Sequence, residues 1–375
     1  MRRDLSFLGA LALLIGTQIG AGILGLPKVL APLGFFWGTV VLFFAAMALA
    51  LTAIMLVEAI YLTNPRYHYF ELTEHHLGRR AALFLILAIL YAGYGSLVAY
   101  TAGLGDIIAS FMGGSPQFWA GLSWAVLSLI VFLGLRVSGA AEESLTILMI
   151  LLITTIFLWA LPEMHPYTRP FDVSSFVVAF GVAVFAFSGH LVVPEVLQGV
   201  RNMNRTNLVI LAAFSLVFLM YSLFSLAIIG VAGGNVPDIG TKALIQNVGP
   251  DLSFIAILLP LLTITTSFIG VGIAQKDILK EIVRNKFAAW VLAMLPPVLI
   301  YLMGADSFVS AIWLASFGII IASGILPPLL LRYARRERRR SLTPIPDWLI
   351  DITLAFFVIV LAYSIISAVF GWSSV

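Results

Sequence analysis

Residues Gly16-Thr17-Gln18-Ile19-Gly20-Ala21-Gly22-Ile23-Leu24-Gly25-Leu26-Pro27 fall in the middle of the first apolar segment of the chain. Four glycines, a threonine and a glutamine stand there, where a simple membrane-spanning helix would carry Leu and Val. Each glycine weakens a helix by about 1 kcal/mol relative to alanine, so the segment is composed to open locally. Backbone that leaves the helix at membrane depth is tolerated only where it lines a cavity or is buried in protein. The N–H and C=O groups it releases then become a binding site built from main chain.

The surrounding composition makes this a membrane problem. Of 375 residues, 61% are hydrophobic and only 10% charged, and the mean hydropathy is +1.07. A soluble domain carries about 25% charged residues. With no cysteine, disulfide frameworks, thiolate chemistry and cysteine-ligated metals are excluded. Arg2 and Arg3 before an apolar run resemble a signal peptide. No small-residue cleavage site follows and the run continues past Gly25, so it reads as an uncleaved first span.

A spanning helix needs about 20 mostly apolar residues. Eleven segments qualify: 5–31, 34–61, 82–111, 117–135, 141–161, 174–198, 207–231, 252–275, 287–304, 307–331 and 347–371. The ninth and tenth are parted only by the tight turn Gly304-Ala305-Asp306. With the N-terminus in the cytoplasm, only Lys28, Arg169 and Lys242 of the 21 basic residues fall outside. Arg2, Arg3, Arg66, Arg79, Arg80, Arg136, Arg201, Arg205, Lys276, Lys280, Arg284, Lys286 and the arginines of Arg332–Arg340 then lie inside, as the positive-inside rule requires. The C-terminus is expected outside a cell (plasma or inner) membrane. The Arg332–Arg340 run reads as a loop touching anionic lipid headgroups rather than nucleic acid. His68, His75 and His76, with Glu71 and Glu74, read as a solvated amphipathic connector, their spacing matching no metal-ligand pattern.

The sixth span repeats the feature of the first. Ala21-Gly22 precedes Pro27 as Ser188-Gly189 precedes Pro194, the glycine standing five residues before the proline in both. Five spans separate the two, an odd number, so the halves cross the membrane in opposite directions. Paired interrupted helices at corresponding places in two halves point to a secondary transporter site. At each break the first half-helix ends with free carbonyls, which suit a cation, and the second begins with free amides, which suit a carboxylate. An amino acid, carrying both charges, is the natural ligand.

GTQIGAGILGLP in span one, Phe187-Ser188-Gly189-His190-Leu191-Val192-Val193-Pro194-Glu195 in span six and Thr265-Thr266-Ser267-Phe268-Ile269-Gly270 in span eight resemble the amino acid permeases of the APC superfamily. The closest likeness is to the aromatic and hydroxy amino acid permeases, with the amino acid/auxin permeases next; Gly189-His190 with Pro194-Glu195 leans to the latter. Leu56-Val57-Glu58, Leu77-Gly78-Arg79, Tyr94, Tyr100, Gly105-Asp106 and Leu295-Pro296-Pro297 extend the likeness over most of the chain. It implies an all-α integral membrane protein of LeuT-type fold, with helices 1 and 6 broken. Two inverted five-helix repeats (1–161 and 174–331) would be followed by a basic linker (332–346) and an eleventh helix with the C-terminus (347–375). It also implies transport of an amino acid with a coupling cation, and no enzyme activity.

Candidate substrate contacts are Thr17, Gln18, Gly20, Ala21 and Gly22 in the first break, and Phe187, Ser188, Gly189 and His190 in the second. Tyr94, Phe185, Phe187 and Trp313 are candidate walls of an apolar side-chain pocket. His190 is open to three readings: proton carrier, substrate contact, or structural residue beside Glu195. Glu195 reads as a structural or gating partner, and Glu58 and Asp106 as groups paired near span ends. Thr263, Thr266 and Ser267 share one helical face by their i, i+3, i+4 spacing. In the LeuT-type fold that face meets the carbonyls of the first break, here Gly16 and Ile19, to form a sodium site of hard oxygen ligands; the competing reading is hydroxyls bonded back to their own helix. Span five has no lysine to fill such a site, and Met149 stands where some proton-coupled relatives have one. Sodium is therefore expected over a proton, with no other cofactor. A neutral, possibly aromatic, amino acid is the expected substrate, since mid-membrane positions offer few counter-charges. The membrane lipid is the other expected partner, with no nucleic acid and no obligatory protein subunit. Alternatives are a proton-coupled permease, a channel, or a non-transporting sensor of the same fold. No His-Glu-x-x-His or Gly-x-Ser-x-Gly motif supports a membrane enzyme.

Overall fold

Lipid offers no hydrogen bonds, so spanning segments must satisfy their backbones internally, and the described residues do so with helices. The computed structural model describes residues 5–135, 139–247 and 253–370; Arg2, Arg3 and Arg136 of the charge pattern lie outside them. In order, the helices are α1 (Phe7–Gln18), α2 (Gly22–Leu30), α3 (Gly34–Thr63), α4 (Tyr69–Met112), α5 (Pro116–Leu133), α6 (Gly139–Ala160), α7 (Val173–Ala186), α8 (Val193–Val200), α9 (Met203–Ala232), α10 (Lys242–Asn247), α11 (Ser253–Val283), α12 (Lys286–Leu302), α13 (Phe308–Ile319), α14 (Leu326–Arg338) and α15 (Asp347–Phe370).

Among the described residues, nine helical segments are long and apolar enough to cross a membrane. Two expected spans fall short by length. The first is divided into α1 and α2, with α2 running on through a short 3-10 turn into α3, and α12 has 17 residues. The eleven-span count thus remains an expectation. Breaks at Ile19–Ala21 and Phe187–Gly189 interrupt the first and sixth expected spans. Each break comes first in its expected five-helix unit, as the repeat predicted.

Helix ends follow local chemistry. Ser6, Ser115, Asp172, Asn202, Asn285 and Ser307 each accept a backbone N–H in the first turn of the helix that follows, which satisfies donors that a helix start leaves orphaned. Gly78, at φ 80° and ψ 170°, kinks α4 and divides its Tyr69–Leu77 portion from the apolar remainder; only glycine takes that conformation without strain. A π-helical turn over Ile320–Ile325 joins α13 to α14.

In the core α1 packs on α9, α2 on α7, α9 and α13, and α7 on α3 and α13, with α4 packed against α13. The surfaces of α5, α6, α12 and α15 leave large apolar side chains such as Phe118, Leu151, Phe287 and Ile359 exposed, as a lipid-facing shell requires. Asp106 and Lys242 pair at 2.8 Å, joining α4 to α10; Asp106 thus has the near-end partner expected of it. The basic run is not a free loop. It is wound into α14 as far as Arg338, with Arg335 buried, and Arg332 pairs with Asp351 of α15.

Candidate functional site

An unbroken helix would send the N–H groups of Gly20, Ala21, Gly22 and Ile23 to the carbonyls of Gly16, Thr17, Gln18 and Ile19. The chain does otherwise. Gly20 N–H donates to Gln18 O (2.8 Å), Ile23 N–H to Gly20 O (3.4 Å), and Ala21 N–H leaves the helix for Ser267 Oγ on α11 (3.2 Å). The carbonyls of Gly16, Thr17 and Ile19 thereby lose their helical donors at the negative end of α1, and α2 starts at Gly22 with the positive end of its dipole.

Glycine is needed here for closeness as well as weakness. A Cβ on Gly22 would stand 2.9 Å from Ala186 Cα, at the end of α7. A Cβ on Gly20 would meet Ser267 Oγ, and one on Gly16 would meet Thr146 Oγ1 of α6, both at 2.8 Å. The first break is pressed against the second on one side and against hydroxyls of α6 and α11 on the others.

In the second break α7 ends at Ala186, Ser188 N–H turns back to Phe185 O (3.2 Å), and a 3-10 turn over His190–Val192 leads into α8. Two side chains stitch the breaks together. Gln18 Nε2 donates to Phe187 O at 3.0 Å. Tyr221 of α9 places its hydroxyl 2.5 Å from Gln18 O and 3.0 Å from Ala186 O, so one proton serves a carbonyl from each break. Gln18 Oε1 is buried and makes no hydrogen bond within the protein.

The predicted residues divide. Gly16, Gln18, Ile19, Gly20, Ala21, Gly22, Phe187, Ser188, Gly189 and Ser267 gather around the two breaks. Phe187 is fully buried, against Phe214 and Tyr221. Thr17 is exposed and bonds back to Leu13 O. Tyr94 donates to Leu292 O on α12, away from the breaks. Trp313 is buried against Gly181 of α7 and Phe317, whereas Phe185 is half-buried.

His190 pairs with Thr52 of α3 at 2.9 Å, and Glu195 is exposed on α8. Thr52 Oγ1 also stands 3.0 Å from Leu49 O, so its hydroxyl ties His190 Nε2 to the backbone of α3. His190 Nδ1 is left buried without a hydrogen bond. Thr263 and Thr266 bond back to carbonyls of their own helix, with Thr263 on Leu259 O and Thr266 on Leu262 O. Their lone pairs stay available, but only Ser267 of the three hydrogen-bonds to the break.

Sequence reasoning missed Tyr221 and Thr146, and gave Tyr100 a place in the family likeness but none in the site. Tyr100 lies buried beside Ser96 and Ser267, and Thr146 comes one turn before the Met149 that was singled out. For Tyr221 the advance signal was that a membrane-buried tyrosine hydroxyl must find a partner.

Comparison with known proteins places this geometry. A family model described as the tryptophan/tyrosine permease family matches residues 3–369. The tyrosine-specific transport system 1 of Haemophilus influenzae is 24% identical, over 97% of this chain and 96% of its own. Glutamine transporter 2 of Aliivibrio fischeri is 23% identical, over 88% and 89%. Among solved structures, MhsT in complex with L-phenylalanine superposes with a TM-score of 0.69 at 14% identity, covering 98% of this chain and 100% of that one. The last likeness shows the LeuT-type fold that the family resemblance implied. The named relatives are transporters, not enzymes.

Proposed function

The chain belongs to the tryptophan/tyrosine permease family, and on that premise we propose that it carries a neutral, preferably aromatic, amino acid across the cell membrane together with sodium. The observation that carries this reading is the meeting of two broken helices whose released main-chain groups are held face to face by Gln18 and Tyr221. The start of α2, with the amides around Ala21 and Gly22, suits the substrate carboxylate. The carbonyls at the end of α1 and the buried Gln18 Oε1 suit its ammonium group.

A sodium ion fits the other side of the first break. On this reading the carbonyls of Gly16 and Ile19, freed from the helix, would share the ion with Thr263, Thr266 and Ser267 of α11, of which Ser267 contacts the break, and Gly16 also abuts Thr146 Oγ1. All of these are hard oxygen ligands. A relative named for glutamine and others named for tyrosine or tryptophan favour a neutral substrate over a charged one. Alternating access would then move the bundle around these breaks, with the basic end and the N-terminus in the cytoplasm.

Purified protein in liposomes tests the reading with labelled tyrosine, tryptophan, phenylalanine and glutamine. Saturable uptake and counterflow are expected, driven by an imposed sodium gradient and lost in Thr266→Ala or Ser267→Ala. Binding without counterflow identifies a sensor. Uptake driven equally by a proton gradient in sodium-free buffer identifies a proton-coupled permease.

A further inference from the structure

Two imidazoles from the Tyr69–Leu77 portion of α4 meet a carboxylate from the last turn of α14. His75 Nε2 and His76 Nδ1 stand 3.5 and 3.3 Å from the same atom, Glu337 Oε2. The three atoms lie within 4.8 Å of one another. The chain positions are far apart, so the spacing of the histidines alone gave no hint of the third member.

The tautomer of His76 can be read from its neighbour. Thr63 Oγ1 donates its one proton to Ala59 O at 2.8 Å. While that bond is made, the hydroxyl accepts from His76 Nε2–H, 2.7 Å away. A neutral His76 so oriented turns the bare lone pair of Nδ1 toward a carboxylate oxygen, which is repulsive unless a cation lies between them.

The distances say which kind of cation fits. A charge-assisted hydrogen bond from imidazolium to carboxylate closes to about 2.7–2.9 Å, and neither contact does. Nitrogen and oxygen ligands bound to zinc at about 2.0–2.2 Å, on adjacent corners of a tetrahedron, stand roughly 3.3–3.6 Å apart. The two nitrogen–oxygen separations fall in that range. Thr63 supplies the second partner that a metal-bound histidine ordinarily has on its other ring nitrogen. His75 and Glu337 are 39% and 49% exposed, which leaves a path for the ion and for water. Arg338, donating to Thr63 O at 3.2 Å, adds a positive charge nearby that lowers the affinity without closing the site.

We propose that His75, His76 and Glu337 form a binding site for one divalent transition metal of the zinc class, with solvent in the fourth position. The bound ion ties the kinked start of α4 to the end of α14.

The test uses full-length protein purified without a histidine tag and titrated with cobalt(II) in detergent. The expected result is one equivalent bound, with the visible absorption of a four-coordinate site, displaced by zinc. His75→Ala with His76→Ala, and separately Glu337→Gln, should each weaken binding at least about tenfold. Glu337 is half exposed, so E337Q retains the fold and keeps the test interpretable; its melting temperature verifies this. No cobalt binding by the unaltered protein, or unchanged binding in either variant, overturns the proposal.

Discussion

Two regions of this molecule bury polar groups equally deeply and treat them in opposite ways. At the basic end, Glu58 of α3 is fully buried, and its carboxylate accepts from Arg335 Nε (2.9 Å) and Nη2 (2.8 Å), from Leu342 N–H (2.9 Å) and from the Thr343 hydroxyl. Arg335 spends Nη1 on Ile345 O and Asp347. Those two groups bind α3, α14 and the start of α15 into one clasp. At the centre, by contrast, Gln18 Oε1 and His190 Nδ1 are buried without partners, and three carbonyls of α1 have lost their helical donors. A buried polar group left unmade is costly, so the saturated cluster reads as structure, while the groups at the centre stay open to the substrate proposed above.

The sharpest way to break this contrast is to unsaturate the clasp. Glu58→Gln removes the charge that neutralises buried Arg335, and a loss of about 3 kcal/mol or more in unfolding stability is expected, read as a fall in melting temperature in detergent. Next in size, Gly22→Val drives a side chain into Ala186; about 1–3 kcal/mol of overpacking should accompany abolished uptake in liposomes. A variant that still transports would show that the breaks do not need their close approach. Tyr221→Phe strips the proton shared by Gln18 O and Ala186 O, and about 1 kcal/mol of stability should go with it, while the uptake rate falls further than that loss alone explains. Equal effects on both would class Tyr221 with the clasp rather than with the site.

The smallest effect lies outside both regions. Asp172 accepts Ser175 N–H at 2.7 Å to cap α7, and this backbone hydrogen bond holds its carboxyl below the ordinary carboxylate value. A carboxyl lowered in the folded state contributes stability above its unfolded value and loses it as pH falls through the folded one. Asp172→Ala should therefore cost about 1 kcal/mol near neutrality, and the gap to the unaltered protein should close in acid, as thermal melts across pH would record.

Much of the central region was legible because its signals are local. Glycines at positions 16, 20 and 22, and the Ser188-Gly189 pair ahead of Pro194, state in the chain itself that the helices cannot continue. Ser267 was placed by helical spacing and does face the break, although its observed contact is the amide of Ala21. Tyr94 and Tyr100 could not be told apart in the same way. Both lie on α4 within the likeness, yet one reaches α12 and the other the Ser267 side, and which face of α4 turns inward depends on its neighbours.

What the chain determined unaided is therefore its membrane character, its all-helical build and the two points where helices open, because hydropathy and glycine act within a few residues. Tertiary structure alone decided which distant groups meet: Tyr221 on both breaks, Arg335 on Glu58, Glu337 on the paired histidines. Those contacts depend on the rotation of each helix about its axis. In a chain apolar on nearly every face, no stripe of hydrophobicity records that rotation, and only the packing of neighbouring helices sets it.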